Sequence, residues 1–229
     1  MIQLAVFDMA GTTIDDHGLV YQALRGSVEE SGATVAATDL QLWMGTDKLT
    51  AINALMKLGG VEPSGKAVHR AFGRFRTMLT EFYAGQPPIS LPGIEPALQT
   101  LRERGLKIAL TTGFDDDVAY PLIESLGWSV GPEGLVDAVV TTTDVRAGRP
   151  APCMIQRAME RTGAQDVRRV LSAGDTLVDV QAAQNAGVLS VGVLTGSLTA
   201  DDFKAVAPDY VLPSVAQVPD LTEVQISAS

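Results

Sequence analysis

Three aspartates, one arginine and a group of threonines stand at the ends of short apolar runs in this 229-residue chain. The first run is Leu4-Ala5-Val6-Phe7-Asp8-Met9-Ala10-Gly11-Thr12-Thr13, in which an apolar segment ends on Asp8 and a glycine-threonine turn follows at once. Such a pattern places a carboxylate at the carboxyl end of a buried strand, where open α/β sheets bind their ligands. Thr112-Gly113, Arg149-Pro150 and Gly174-Asp175-Thr176-Leu177-Val178-Asp179 hold corresponding places further along. Asp8, Asp175 and Asp179 offer hard oxygen ligands that suit Mg²⁺. Arg149 adds a fixed positive charge and Thr112 a hydroxyl donor. With a metal they would stabilise the equatorial oxygens of a phosphoryl group in transfer. One carboxylate is then free to act as nucleophile and form an aspartyl-phosphate that water cleaves.

Groups so far apart in sequence need elements that bring them together. Short apolar runs at Leu4–Phe7, Lys107–Leu110, Ala138–Val140, Val170–Ala173 and Ser190–Val193 predict strands covered on both faces, with Tyr210–Leu212 a weaker edge strand. Between most of them lie helical patterns, Ala97–Arg104, a stretch after Asp115–Asp117, Met154–Thr162 and Val178–Ala186, each closed by a glycine. The alternation predicts an α/β fold: a doubly wound, Rossmann-like parallel sheet. In that fold the four motifs meet at one edge of the sheet. From about Gly18 to Gly85 only helical patterns appear. Val20, Leu24 and Val28 mark one helix, Thr38 is placed to cap a second, Thr46 a third, and a fourth runs from His69 to Tyr83. The expected organisation is a core of residues 1–15 and 91–229 with an inserted all-helical cap of residues 16–90.

Composition narrows the partners. A formal net charge of -10 disfavours a nucleic acid. It also means that an anionic metabolite needs local cations or a metal. Cys153 is the single cysteine and cannot form an internal disulfide. The amino terminus has no basic segment before its apolar run, and no run approaches the ~20 residues that span a bilayer. The expectation is a cytoplasmic protein acting on a small phosphorylated or phosphonate substrate, without membrane or nucleic-acid partners.

The four motifs, in this order and spacing across the whole chain, resemble the haloacid dehalogenase superfamily, and the helical insertion sits where that superfamily carries its cap. The resemblance implies Asp8 as nucleophile and Mg²⁺ as cofactor. It implies Asp175 and the backbone carbonyl of Ala10 as metal ligands, with Asp179 supporting the metal or Arg149. It further implies Thr112 and Arg149 as phosphoryl ligands, with Gly11, Thr12 and Gly113 lining the phosphate site.

Most phosphatases of this superfamily carry a second Asp where this chain has Ala10, and a methyl group can neither protonate a leaving group nor activate water. The phosphonatase branch (phosphonoacetaldehyde hydrolases) has the same alanine, and there a cap lysine forms a Schiff base with the substrate aldehyde. Met44-Gly45-Thr46-Asp47-Lys48 matches the phosphonatase spacing of Met-Gly to lysine, and Thr112-Gly113-Phe114 and Ala147-Gly148-Arg149-Pro150 are also similar to that branch, which has Tyr in place of Phe114. Phosphonatases pair through cap helices, so the resemblance implies a homodimer. With Thr46 as cap, Lys48 falls in the first helical turn, where a cation opposes the helix dipole at a cost of ~0.3–1 kcal/mol and the neutral amine is favoured. The alternative for Lys48 is a solvated helix-start lysine or a phosphate-binding residue.

Two positions depart from the branch: Ala51 replaces a histidine three residues after the lysine, and Gly18 replaces a cysteine, with His17 beside it. Three readings therefore stand: a phosphonatase-like hydrolase, a phosphate-ester phosphatase without a Schiff base, and a phospho-ligand binding module without turnover. His17 is read as a linker residue or an acid/base, His69 as solvated, and Asp115-Asp116-Asp117 as a helix start. Cys153, Trp43, Met44 and Met56 are read as packing residues first.

Overall fold

The computed structural model describes residues 1–225. Strand β1 (Leu4–Asp8) leads through the short β2 (Ile14–Asp15) into helices α1 (Leu19–Glu29), α2 (Ala37–Leu42), α3 (Lys48–Leu58) and α4 (Gly65–Gly85). The chain returns through β3 (Ile89–Ser90), α5 (Ile94–Glu103), β4 (Lys107–Thr111), α6 (Asp116–Ser125) and β5 (Ala138–Val140). It continues with α7 (Cys153–Thr162), β6 (Val170–Gly174), α8 (Leu177–Ala186), β7 (Leu189–Val193), α9 (Ala200–Phe203) and β8 (Tyr210–Leu212).

Six strands form one sheet in the order β5-β4-β1-β6-β7-β8, and every neighbouring pair is parallel. Parallel strands need crossover connections, and the intervening helices supply the apolar cover for both faces. All five residues of β1 and all five of β6 are buried, which is why these strands read as continuous apolar runs. On one face Leu4 and Val6 pack with Met154, Ile155 and Ala158 of α7 and with Ala182, Ala183 and Ala186 of α8. The doubly wound α/β core predicted from the strand-helix alternation is the architecture found, and Tyr210–Leu212 pairs only with β7 as the edge strand.

Contacts divide the described chain into two compact units, the first made of Met1–Asp15 and the chain from Ile89 onward, the second of Asp16–Pro88. Within the second unit, α1, α3 and α4 bury Leu24, Val28, Ile52, Leu55, Phe75 and Leu79. Ile14 and Asp15 pair antiparallel with Ser90 and Ile89, a two-residue ladder too short to leave a period-2 pattern in the sequence.

Local capping differs from the sequence expectation at two helices. Thr38 lies inside α2, whose N-cap position is Ala36 with no side-chain cap. At α3 the cap is Asp47, whose carboxylate accepts from Thr50 N–H at 3.0 Å, while Thr46 Oγ1 donates to Trp43 O at 2.8 Å. Both residues suit an N-cap by type; the turn closed by Thr46 shifts the helix start by one residue. The fourth helix is longer than expected because Ser64 caps it, accepting from Ala67 N–H. Replacing Asp47→Ala should weaken the start of α3 by about 1 kcal/mol. Hydrogen exchange read on the Thr50 amide should then accelerate several-fold, while exchange in the middle of α4 stays unchanged.

Candidate active site

The carboxyl edge of the sheet collects the charged motifs. Asp8 is the last residue of β1 and pairs in register with Thr111 at the end of β4. Asp175 follows β6 directly, and Asp179 lies in the first turn of α8. Arg149 comes from the loop between β5 and α7, and it reaches the ends of β1 and β4 and the first turn of α8. Its guanidinium lies 2.6 Å from Asp8 Oδ1 and 2.9 Å from Asp179 Oδ1, and it donates to Thr111 Oγ1 at 2.6 Å. Its side chain is 4% exposed, so these are buried, charge-assisted contacts with little solvent screening. The Arg149-Pro150 peptide is cis.

Asp175 is held from several sides. Thr12 Oγ1 donates to Asp175 Oδ1 at 2.8 Å and accepts from Asp175 N–H at 3.0 Å. Gly11 has φ 88° in the turn after β1, a conformation that favours glycine. A Cβ there would stand 2.6 Å from Asp175 Oδ2, so close approach also demands glycine at this position. Thr13 Oγ1 donates back to Asp8 O at 2.9 Å and closes the same turn. Asp179 forms a capping box with Thr176: its Oδ2 accepts from Thr176 N–H at 3.1 Å and from the Thr176 hydroxyl.

The electrostatics follow from burying three acids around one cation. Burial pushes the Asp175 carboxyl well above the usual carboxylate range, and the charges of Asp8 and Asp179 push it further, against the Thr12 hydrogen bond. Burial also pushes Asp179 up to about 6; Arg149 and the Thr176 hydrogen bonds oppose this, and Asp8 adds to it. For Arg149, burial favours the neutral form, but the charges of Asp179, Asp8 and Asp175 outweigh it and hold the guanidinium charged. Negative charge is in excess. Asp8, Asp175 and Asp179 each present a carboxylate oxygen, all within 4.8 Å of one another. An all-oxygen, hard donor set with surplus negative charge fits a divalent cation such as Mg²⁺. Both oxygens of Asp179 already have partners, Arg149 on one and Thr176 on the other.

Most of the site residues expected from sequence come together here: Asp8, Gly11, Thr12, Arg149, Asp175 and Asp179. Thr112 is buried one residue past Thr111; its N–H donates to Val140 O at 3.1 Å and its Oγ1 accepts from Phe114 N–H at 3.2 Å. Gly113 is buried beside it, and Ala10 forms an isolated bridge with Ile14. Lys48 belongs to the second unit. It is 5% exposed, its Nζ donates to Thr46 O at 3.0 Å, and it stands 5.9 Å from the centre of the Tyr21 ring. In the same unit His17 Nε2 lies 3.2 Å from Pro87 O, and the Asp16 carboxylate accepts from Val20 N–H at 2.8 Å. His69 contacts Gly65 O at 2.8 Å within its own helix.

Asp115 occupies the N-cap position of α6 without a side-chain cap bond, and Asp116 accepts from Thr141 Oγ1 at 2.5 Å. Met56 is fully buried; Trp43, Met44 and Cys153 are half-buried. Thr176 stands in a sequence motif without a role of its own, and Thr111 and the Thr195-Gly196 turn have no sequence signal, because hydroxyls and glycines at strand ends are too common to stand out.

Comparison with known proteins gives the same placement. Residues 2–187 match the family of haloacid dehalogenase-like hydrolases. A phosphonoacetaldehyde hydrolase from Lysinibacillus sphaericus is 30% identical over 225 residues, which cover 91% of this chain and 82% of that protein. A hydrolase from Pseudomonas syringae superposes with a TM-score of 0.85 at 21% identity, over 95% of this chain and 96% of that one. A phosphonoacetaldehyde hydrolase-like protein from Oleispira antarctica does so with a TM-score of 0.78 at 23% identity, over 97% and 92%. The two structures show a shared fold, and the sequence matches go further: the chain belongs to the haloacid dehalogenase-like hydrolases and is an enzyme of their phosphonatase-like branch.

Proposed function

We propose that this hydrolase uses Mg²⁺ and Asp8 to cleave the C–P bond of phosphonoacetaldehyde or a related carbonyl phosphonate, with Lys48 forming a Schiff base. The observation that carries this reading is the environment of Lys48. A solvated helix-start lysine would extend into water, whereas this one is buried with its amine on the Thr46 carbonyl. An amine held in place at a helix start, rather than extended into water, is positioned to add to a carbonyl.

Lys48 Nζ adds to the substrate carbonyl and loses water, giving an imine. An oxygen of Asp8 then attacks phosphorus. The C–P bond breaks, and its electron pair passes into the imine, protonated on nitrogen, to give a neutral enamine, so no carboxylic acid is required where Ala10 stands. Protonation at carbon and hydrolysis free Lys48, and water cleaves the aspartyl-phosphate to restore Asp8. Arg149 and Thr112 hold the phosphoryl oxygens, and Asp179 anchors Arg149 from behind through its Nε contact. Mg²⁺ held by Asp8, Asp175 and the Ala10 carbonyl would offset the charge of the approaching phosphoryl group. A cytoplasmic location and a homodimer through the helical insertion complete the reading. Leu42 and Leu58, 72% and 55% exposed, supply apolar surface for the dimer.

A phosphate-ester hydrolase without the imine is the second reading. It is favoured by Ala51, which is fully buried where phosphonatases carry a histidine and cannot move a proton.

Borohydride added with phosphonoacetaldehyde should leave a reduced adduct on Lys48, read by peptide mass, and Lys48→Arg should abolish it. Turnover of that substrate with no adduct would overturn the imine. Asp8→Asn should reduce turnover by at least about a thousandfold on any phosphoryl substrate. Ala10→Asp separates the two readings. On an alkyl phosphate ester it should raise the rate of an enzyme that lacks only an acid, and leave a committed phosphonatase no faster.

A further inference from the structure

The loop after β7 makes two contacts with the site that no motif accounts for. Thr195 Oγ1 donates to Gly11 O at 2.6 Å, joining this loop to the turn that follows Asp8. At Gly196 the main chain runs so close to Asp175 that a Cβ would stand 2.8 Å from both its Cβ and its Cγ, and closer still to Oδ2. Gly11 meets the same carboxylate: a Cβ there would lie 2.6 Å from Oδ2 and 2.8 Å from Cγ. Asp175 is thus confined between two side-chain-free stretches of backbone, with Thr12 bound to its other oxygen at 2.8 Å.

We propose that Thr195 and Gly196 are positioning residues for the metal site, forming with Gly11 and Thr12 a clamp that aims the Asp175 carboxylate.

Such a clamp answers a definite physical need. Asp8, Asp175 and Asp179 crowd like charges within 4.8 Å, and the guanidinium of Arg149 lies against Asp8 and Asp179 at 2.6 and 2.9 Å. Repulsion would turn an unconfined carboxylate out of the cluster before a cation arrived. Rotamer confinement by backbone removes that freedom without adding another charge. The Thr195 hydroxyl keeps the two backbone walls in register, since it fixes the carbonyl of Gly11 itself. Groups behind the ligands of a metal typically govern its affinity by about 10–100-fold.

The inference rests on the Mg²⁺ reading above, and calorimetric titration of the full-length protein with MgCl₂ tests both separately. Thr195→Val keeps the shape of the side chain and removes the hydroxyl. It should weaken Mg²⁺ binding about tenfold. The melting temperature of the metal-free protein should stay within a few degrees of wild type. Thr195→Ser should restore most of the affinity. Gly196→Ala, the second variant, should weaken binding by displacing Asp175. Wild-type affinity in Thr195→Val, or equal losses in Thr195→Val and Thr195→Ser, overturns the role of the hydroxyl. Wild-type affinity in Gly196→Ala overturns the role of the wall. A wild-type protein that binds no Mg²⁺ overturns the metal reading and the clamp with it.

Discussion

Burial of one guanidinium among three carboxylates governs the rest of this structure. Arg149 binds Asp8 and Asp179 directly, with 4% of its side chain exposed. Desolvating such charges is expensive, and removing one partner of a buried pair typically costs about 3–5 kcal/mol. The arrangement persists only if each group is held by its own element. Asp8 is fastened by β1 in mid-sheet, Asp179 by its capping box in α8, and Asp175 by Thr12 and two glycines. Even so, negative charge remains in excess, and burial first, with repulsion among the carboxylates added to it, raises the proton affinities of Asp175 and Asp179. A site that pulls protons toward itself in this way is suited to a divalent cation, and it is the cation together with Arg149 that would meet the negative charge developing in phosphoryl transfer.

The same constraint accounts for the small residues around the site. A carboxylate cluster can close only where neighbouring backbone comes within contact distance. Gly11, Gly174 and Gly196 stand at those approaches, the first two against Asp175 and Asp179 respectively. Hydroxyls do the remaining work without adding charge. Thr12 and Thr176 donate to carboxylates, Thr111 accepts from Arg149, and Thr13 and Thr195 fasten the turn after β1. In the helical unit the problem is different. Lys48 is a single buried amine, set by a turn through Thr46 and a helix start at Asp47. Chemistry with a carbonyl needs such an amine to be shielded from bulk water, and chemistry at phosphorus needs the charged cluster. The proposed reaction assigns one requirement to each unit.

Much of this was legible in the chain. The continuous apolar runs of β1 and β6 announce strands covered on both faces, and the motifs at their ends announce where the charges meet. Ala10 was informative through what it lacks. Legibility failed where a feature is short or defined only by a distant neighbour. The β2–β3 ladder has two residues per strand, too few for a period. Thr38 and Thr46 are good capping residues by type, yet Asp47 caps α3 and Thr38 lies within α2. The choice among adjacent candidates depends on how the preceding turn closes. Thr195 and Gly196 bear on Asp175 and Gly11, which are far away in sequence, and no local pattern records that contact.

The sequence by itself determined the α/β class, the order of the charged motifs and the membership of the family, because these depend on apolar periodicity and on residue identity at strand ends. Only the tertiary structure decided how the charges share their partners. It assigned Arg149 jointly to Asp8, Asp179 and Thr111, engaged both oxygens of Asp179, and enclosed Asp175 between two turns of backbone. The reason is physical: the energy of a buried charge is set by everything within a few ångströms of it, and those neighbours come from five different segments of the chain.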